Sequence, residues 1–196
     1  AQPGLKSGDE EGILKGMYLF KPAELKDKKA PKAQLLGSGT ILCEVIAAAD
    51  LLRDDWGVAA DVWSATSFTE LRRNGMDCER HNMLHPAAKS QVPYVTALLE
   101  KTEGPIVAST DYMKIFSDQI RPYIPQGRRY KVLGTDGFGR SDFRAKLREH
   151  FEVDRHFVVL ATLAELAREG KVDKDAPAQA IAKYGINPDK PNPAYA

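Results

Sequence analysis

The chain has little sulfur, no charge imbalance and no long apolar run. Cys43 and Cys78 are the only cysteines among 196 residues, with no CxxC or Cys/His ligand spacing, so neither a disulfide framework nor a zinc site is supported. Cys43 falls in an apolar helical pattern and is expected as a buried free thiol. Cys78 stands among Asp77, Glu79 and Arg80 and is expected to be more exposed. Lys and Arg number 28 against 27 acids, which removes the global field that would gather nucleic acid or an anionic membrane. No apolar run approaches the roughly 20 residues that span a bilayer. Ala1-Gln2-Pro3-Gly4 offers no charged region leading into an apolar core, so no signal peptide is read there, and a reducing cytoplasm fits best. The start is loop-like and carries no initiator Met, the expected appearance of a cut from a longer polypeptide, with residues 1–12 a linker and 13–196 a domain.

Portable catalytic signatures are missing too. Gly37-Ser38-Gly39 is too short for the Gly-x-Ser-x-Gly elbow of a serine hydrolase. It resembles the opening of a dinucleotide fingerprint, but the third glycine position is Leu42, and the strand after it ends at Thr66-Ser67 without a ribose-binding acid. No Walker loop occurs. His81 and His85 have the spacing of two metal ligands on one helical face, but Asn82 stands where an HExxH motif has glutamate. Pro86 also disfavours a helical His85. Structural or interface histidines are the expectation.

What is present is the composition of an ordinary soluble globular protein, 43% hydrophobic and 28% charged, on a chain long enough for one α/β domain with a sizeable core. Strand and helix patterns alternate. Ile13 to Phe20 reads as an edge strand, and 21–32 as a solvated lysine-rich loop. Ala33 to Leu36 is a strand turned by Gly37 to Thr40 into a helix carrying Ile41, Val45, Ala48, Ala49 and Leu52, which Gly57 stops. Val58 to Ala65 is a strand. Ser67-Phe68-Thr69-Glu70 has capping-box spacing and starts a helix, which Gly75 is expected to interrupt. A short helix over 92–99 and a strand over 105–111 follow. A helix then has Met113, Phe116, Ile120 and Tyr123 on its apolar face, and Tyr130 to Leu133 is a buried strand. Helices ending at Gly170 and Gly185 complete the pattern, the second with Asp175 as its N-cap. Such alternation means a mostly parallel sheet covered on both faces, a three-layer α/β fold.

The densest stretch is Gly134-Thr135-Asp136-Gly137-Phe138-Gly139-Arg140-Ser141-Asp142. It crosses from the last strand into a helix expected over 142–151, with Ser141 a suitable N-cap. Its glycines permit close approach or unusual backbone angles, and its charges are of both signs. A tight structural turn and an anion or partner contact at a helix N-terminus both fit these residues.

Five stretches occur together in order: Leu36 to Gly39, Ser67 to Leu71, Asp77 to Pro86, Ser109 to Lys114, and Gly134 to Asp142. So arranged, the chain resembles the C-terminal domain of the homodimeric-type pyruvate dehydrogenases, with Ala182 to Ile186 and Asn192-Pro193 fitting the family's terminus. It is more distantly similar to transketolase C-terminal domains. The resemblance implies a mixed sheet, mainly parallel, with one antiparallel edge strand. It also implies a parent enzyme that uses thiamine diphosphate and Mg²⁺ to decarboxylate pyruvate and then reductively acetylates the lipoyl group of a dihydrolipoamide acetyltransferase. In that family the cofactor lies between the N-terminal and middle domains across a homodimer interface, so this stretch is expected to be non-catalytic, holding neither cofactor nor metal. Candidate interdomain or dimer contacts are then Ser38, Ser67, Asp77, Glu79, Arg80, His81, His85, Thr135, Asp136, Gly137, Phe138, Gly139, Arg140, Ser141 and Asp142. The alternative is an independent module that docks the acetyltransferase or a small anion at the 134–142 turn. Exposed apolar patches larger than a few hundred Å² favour the interface domain.

Overall fold

A computed structural model describes residues 6, 8–24, 27 and 29–196 of the chain. The first strands and helices in order are α1 (Asp9–Leu14), β1 (Met17–Lys21), β2 (Lys32–Gly37), α2 (Leu42–Trp56), β3 (Ala59–Ala65), α3 (Phe68–Leu84) and α4 (Tyr94–Leu99). Then come β4 (Ile106–Ser109), α5 (Lys114–Asp118), β5 (Tyr130–Leu133), α6 (Arg144–His150), α7 (Arg155–Arg168) and α8 (Ala176–Tyr184). The five strands form one sheet of order β1-β3-β2-β4-β5. Strands β2 to β5 run parallel, and β1 pairs antiparallel with β3, Met17 opposite Ala65. This is the expected mixed sheet with one antiparallel edge.

Successive side chains of a strand point to opposite faces, and each face has its own core. Leu35, Val62, Val107 and Leu133 pack with Val45 and Leu52 of α2 and with Val159 and Leu163 of α7. Leu36, Trp63, Ile106 and Val132 pack on the other face with Leu71 of α3, Leu99 of α4, Ile120 and Tyr123. Gln34, at the centre of the sheet and fully buried, receives the Trp63 indole N–H at 2.8 Å and donates to Asp61 and to the Glu103 carbonyl. Its burial is tolerable because both its carbonyl oxygen and its amide nitrogen have partners.

Several expectations are corrected by packing. Asp9–Leu14 is a helix, where the pattern gave the end of a tail and the start of a strand; its acidic first turn, Asp9 to Glu11, suits a helix N-terminus. The expected tail and the lysine-rich loop over 21–32 lie partly outside the described residues. Helix α3 passes through Gly75 without a break. A Cβ there would stand 2.4 Å from the Tyr123 ring, so the glycine admits an aromatic side chain instead of ending a helix. The two cysteines exchange roles, Cys43 being exposed and Cys78 buried. Val45, Ala48, Ala49 and Leu52 define the inner face of α2, and Cys43, two residues before Val45, points the other way at 100° per residue. Cys78 continues the Leu71–Gly75 row at spacings of four and three. Ser67 does cap α3, accepting from Glu70 N–H at 3.1 Å. Its own N–H goes to the Gly16 carbonyl, so the reciprocal half of the capping box is replaced by a tie to the β1 entry. Ser141 is no cap: α6 begins two residues later than expected, with Phe143 in the cap position. Asp175 holds the cap position of α8 without a side-chain hydrogen bond. No described helix is long and apolar enough to cross a membrane.

Candidate functional site

The carboxyl ends of β4 and β5 carry two loops that lock together. After β4 the chain passes Thr110 and Asp111 into Tyr112, Met113 and α5; after β5 it enters the glycine turn. Thr135 N–H donates to the Tyr112 carbonyl at 2.9 Å, and its hydroxyl donates to the Asp111 carbonyl at 2.7 Å. Asp136 accepts from Lys114 N–H at 2.9 Å, occupying the first turn of α5, and lies 3.8 Å from the Lys114 ammonium. Gly134 has no room for a Cβ, which would meet the Lys114 nitrogen and Tyr112 oxygen at 2.8 Å. Gly137 has φ +105°, and a Cβ there would run into the Pro193 carbonyl. Two of the three glycines therefore serve close approach by the chain itself.

The outer surface of these loops is apolar. Tyr112, Met113, Ile115, Phe116, Phe138 and Phe143 are all exposed, Phe138 by 80%, and the Tyr112 and Phe116 rings pack at 5.4 Å. Periodicity had turned Met113 and Phe116 inward together with Ile120 and Tyr123. The helix stops at Asp118, and a 3-10 turn over Arg121–Tyr123 carries only the second pair into the core. Six large apolar side chains are thus exposed on the two loops and the helix starts that follow them.

An anion has poor prospects on the turn. Asp136 already fills the amide position at α5, Asp142 accepts from Phe143 N–H, and α6 has only seven residues. Arg140 is exposed beside these acids, and so are Gly139 and Ser141.

The remaining candidates lie elsewhere. Ser38, at the end of β2, donates to the Thr110 hydroxyl at 2.8 Å. Asp77 and Arg80 are exposed on α3, and Glu79 accepts from the Tyr123 hydroxyl at 3.0 Å. His81 and His85 stack at 4.4 Å, His85 Nδ1 lying 3.0 Å from the His81 carbonyl. His85 sits outside the helix as its C-cap, as Pro86 implied. Among the described residues no hydrogen bond or ion pair links the 77–85 group to the glycine turn; its partners are Tyr123, Gln91 and its own helix.

Beside the apolar loops, a cavity of about 1030 Å³ opens between β1, the first turn of α2 and the ends of β2 and β3. Its lining includes Tyr18, Phe20, Ser38, Cys43, Ser64 and Thr110, and none of its lining residues is charged. No group of three or more His, Cys, Asp or Glu able to hold a metal occurs among the described residues.

Comparison with known proteins gives the same architecture. The model of the transketolase-like TK C-terminal domain matches residues 16–154. The chain is 58% identical over 98% of its length to the pyruvate dehydrogenase E1 component of Pseudomonas aeruginosa. It is 55% identical over 97% to that of Cupriavidus necator and 54% over 99% to that of Escherichia coli. In each case it spans about a fifth (21%) of the relative's length. Among solved structures, a split-gene transketolase described as an inactive beta4 tetramer aligns with TM-score 0.55 and 16% identity, over 84% of this chain and 46% of that one. Campylobacter jejuni transketolase aligns with TM-score 0.51 and 21% identity, over 78% and 19%.

Proposed function

This chain belongs to the family of transketolase-like C-terminal domains, and on that premise we propose that it is the non-catalytic interface domain of a pyruvate dehydrogenase E1 enzyme. The parent decarboxylates pyruvate with thiamine diphosphate and Mg²⁺ held by its N-terminal and middle domains, and passes the acetyl group to the lipoyl group of the acetyltransferase. It works as a homodimer in the cytoplasm. The domain unit runs from helix α1 (Asp9–Leu14), which replaces the expected boundary at residue 13, and the residues before it lead from a preceding domain. The observation that carries the reading is the apolar surface of Tyr112, Ile115, Phe116, Phe138 and Phe143, held rigid by the loop-to-loop bonds of Thr135 and Asp136. Such a surface is stable in water only at a cost and is well used against sister domains or the second subunit.

The test is the double substitution I115D/F138D in the whole enzyme. Both side chains are exposed, so the fold of this domain, followed by circular dichroism, is expected to persist. Dimerisation in sedimentation and pyruvate-dependent turnover are expected to fall together. Full dimerisation and full turnover in the double variant would refute the assignment.

A further inference from the structure

The chain ends in two turns of one pattern, Asn187-Pro188-Asp189-Lys190 and Asn192-Pro193-Ala194-Tyr195. In each, the asparagine side chain accepts the N–H two residues on, Asp189 at 3.0 Å and Ala194 at 2.9 Å. The asparagine carbonyl accepts the N–H three residues on, Lys190 at 3.5 Å and Tyr195 at 3.0 Å. Asparagine closes such a turn through its own side chain and proline presets its backbone, so little freedom is left to lose on docking. Chain ends are poorly ordered unless something holds them, and here each turn delivers one anchor: Lys190 from the first, Pro193 from the second.

Lys190 enters the corner between α6 and α7. Its ammonium donates to the His150 carbonyl at 2.7 Å and to Glu152 at 3.0 Å, and stands 5.4 Å from the centre of the Phe157 ring. Its side chain is 19% exposed. The corner is firm, because Arg148 of α6 is bonded to Glu44 of α2 and Val153 is in the core. Glu152 has an unusual backbone. It follows the C-cap of α6 with φ +61°, the one positive value outside glycine among the described residues. Its N–H goes to the Glu149 carbonyl and that of Val153 to the Arg148 carbonyl, the closure of a helix end that glycine ordinarily makes. A side chain in this conformation costs backbone strain. Among the described residues its carboxylate has one partner, Lys190, so what the strained position supplies is a hold on the tail.

Pro193 is buried, and its carbonyl and Ala194 occupy the space that a Cβ of Gly137 would need. The first half of the glycine turn, Thr135 and Asp136, is bonded to the segment between β4 and α5 and to the start of α5. Gly137 to Ser141 make no hydrogen bond among the described residues, and the tail packs directly against this second half at Gly137. We propose that residues 187–196 are a strap that runs from the Lys190 anchor to Gly137 and holds the Phe138-bearing half of the turn in place. Its service to docking at Phe138 rests on the interface reading; the strap itself does not.

The test is limited trypsin digestion of the 196-residue chain, with cleavage after Arg140 followed by mass spectrometry. Arg140 is in the exposed part of the turn, and Lys89, in the exposed loop after α3, is the internal reference. Where opening is fast relative to cleavage, the rate follows the population of the opened turn. Lys190→Ala removes a charge-assisted hydrogen bond and is expected to raise cleavage after Arg140 about tenfold. Glu152→Gly removes the same ion pair while giving α6 the terminal residue it prefers, so a rise there cannot be put down to a weakened helix end. An unchanged rate after Arg140 in either variant, or a rise of the same size after Lys89, would overturn the strap. In the whole enzyme both variants are also expected to weaken dimerisation in sedimentation. Intact dimers beside faster cleavage of this chain would count against the interface reading and leave the strap standing.

Discussion

Glu44 is the most consequential buried charge in the chain, and removing it gives a worked prediction. It lies in the first turn of α2 and is only 5% exposed. Its oxygens receive Arg148 Nη1 at 2.7 Å, Arg155 Nε at 2.8 Å, Arg155 Nη2 at 3.3 Å and Arg155 N–H at 3.2 Å. The carboxylate thereby ties α2 to the end of α6 and the start of α7. Burial alone raises its pKa; the Arg155 hydrogen bonds and charge, with Arg148 behind them, outweigh burial and hold it below the ordinary value. Breaking a buried pair from one side costs about 3–5 kcal/mol. Arg155 is 45% exposed and can return its guanidinium to water, so Glu44→Gln is expected to cost less than that range, about 2–3 kcal/mol. With a urea m-value of about 2–3 kcal/mol/M, the midpoint at pH 7 drops by about 1 M. The sign with pH follows from the lowered pKa. The ion-pair stabilisation is fully present above the unfolded-state value, about 4.3, and is lost as pH falls through the folded value. The gap between wild type and Glu44→Gln should therefore be constant from pH 7 to about pH 5.5 and close below pH 4. Urea titrations across that range measure it. A gap that is negligible at pH 7, or that widens in acid, would refute the reasoning.

Gly75→Ala should lose stability although alanine is the better helix former by about 1 kcal/mol, because its methyl would overlap the Tyr123 ring and overpacking costs about 1–3 kcal/mol; a raised melting temperature would count against the contact. Gly137→Ala combines a φ of +105° with the Pro193 carbonyl in the way, so amide exchange over 190–196 should accelerate while that of β2 and β3 stays slow. Iodoacetamide should modify Cys43 well before Cys78, whose pKa is raised by burial and then by Asp77; equal rates would contradict the packing of α3.

The sheet was legible because each strand is a short apolar run bounded by turn residues, and a parallel strand buried on both faces needs nothing more. The rim of α3 was legible too, since Ser67 caps locally. Contacts between segments distant in sequence were not legible. Gly75 looks like a helix breaker until Tyr123, 48 positions away by their numbers, is known to occupy its space. Ser141 is a fair cap by residue type, but Asp136 draws the turn toward α5 and leaves α6 to start later. The cysteine exchange is different in kind. The Leu71–Gly75–Cys78 row and the two-residue offset of Cys43 from Val45 were present in the sequence, and helical geometry, weighed above neighbouring charges, assigns both correctly.

The same distinction explains why the glycine turn was conspicuous but its purpose was not. A glycine-rich loop before a helix has two common uses, to bare its amides to a ligand or to let another piece of its own chain come close, and the residue types do not separate them. Position by position the structure does. Gly134 admits α5 and Gly137 admits the tail at Pro193, while Asp136 and Asp142 consume amides that a ligand would need. A loop so tied loses little conformational freedom when something binds it, which is the main cost of docking on a loop. Held in this way, Phe138 stays exposed, as the proposed interface requires, and the acids that make the turn a poor anion site are the groups that fix the turn there.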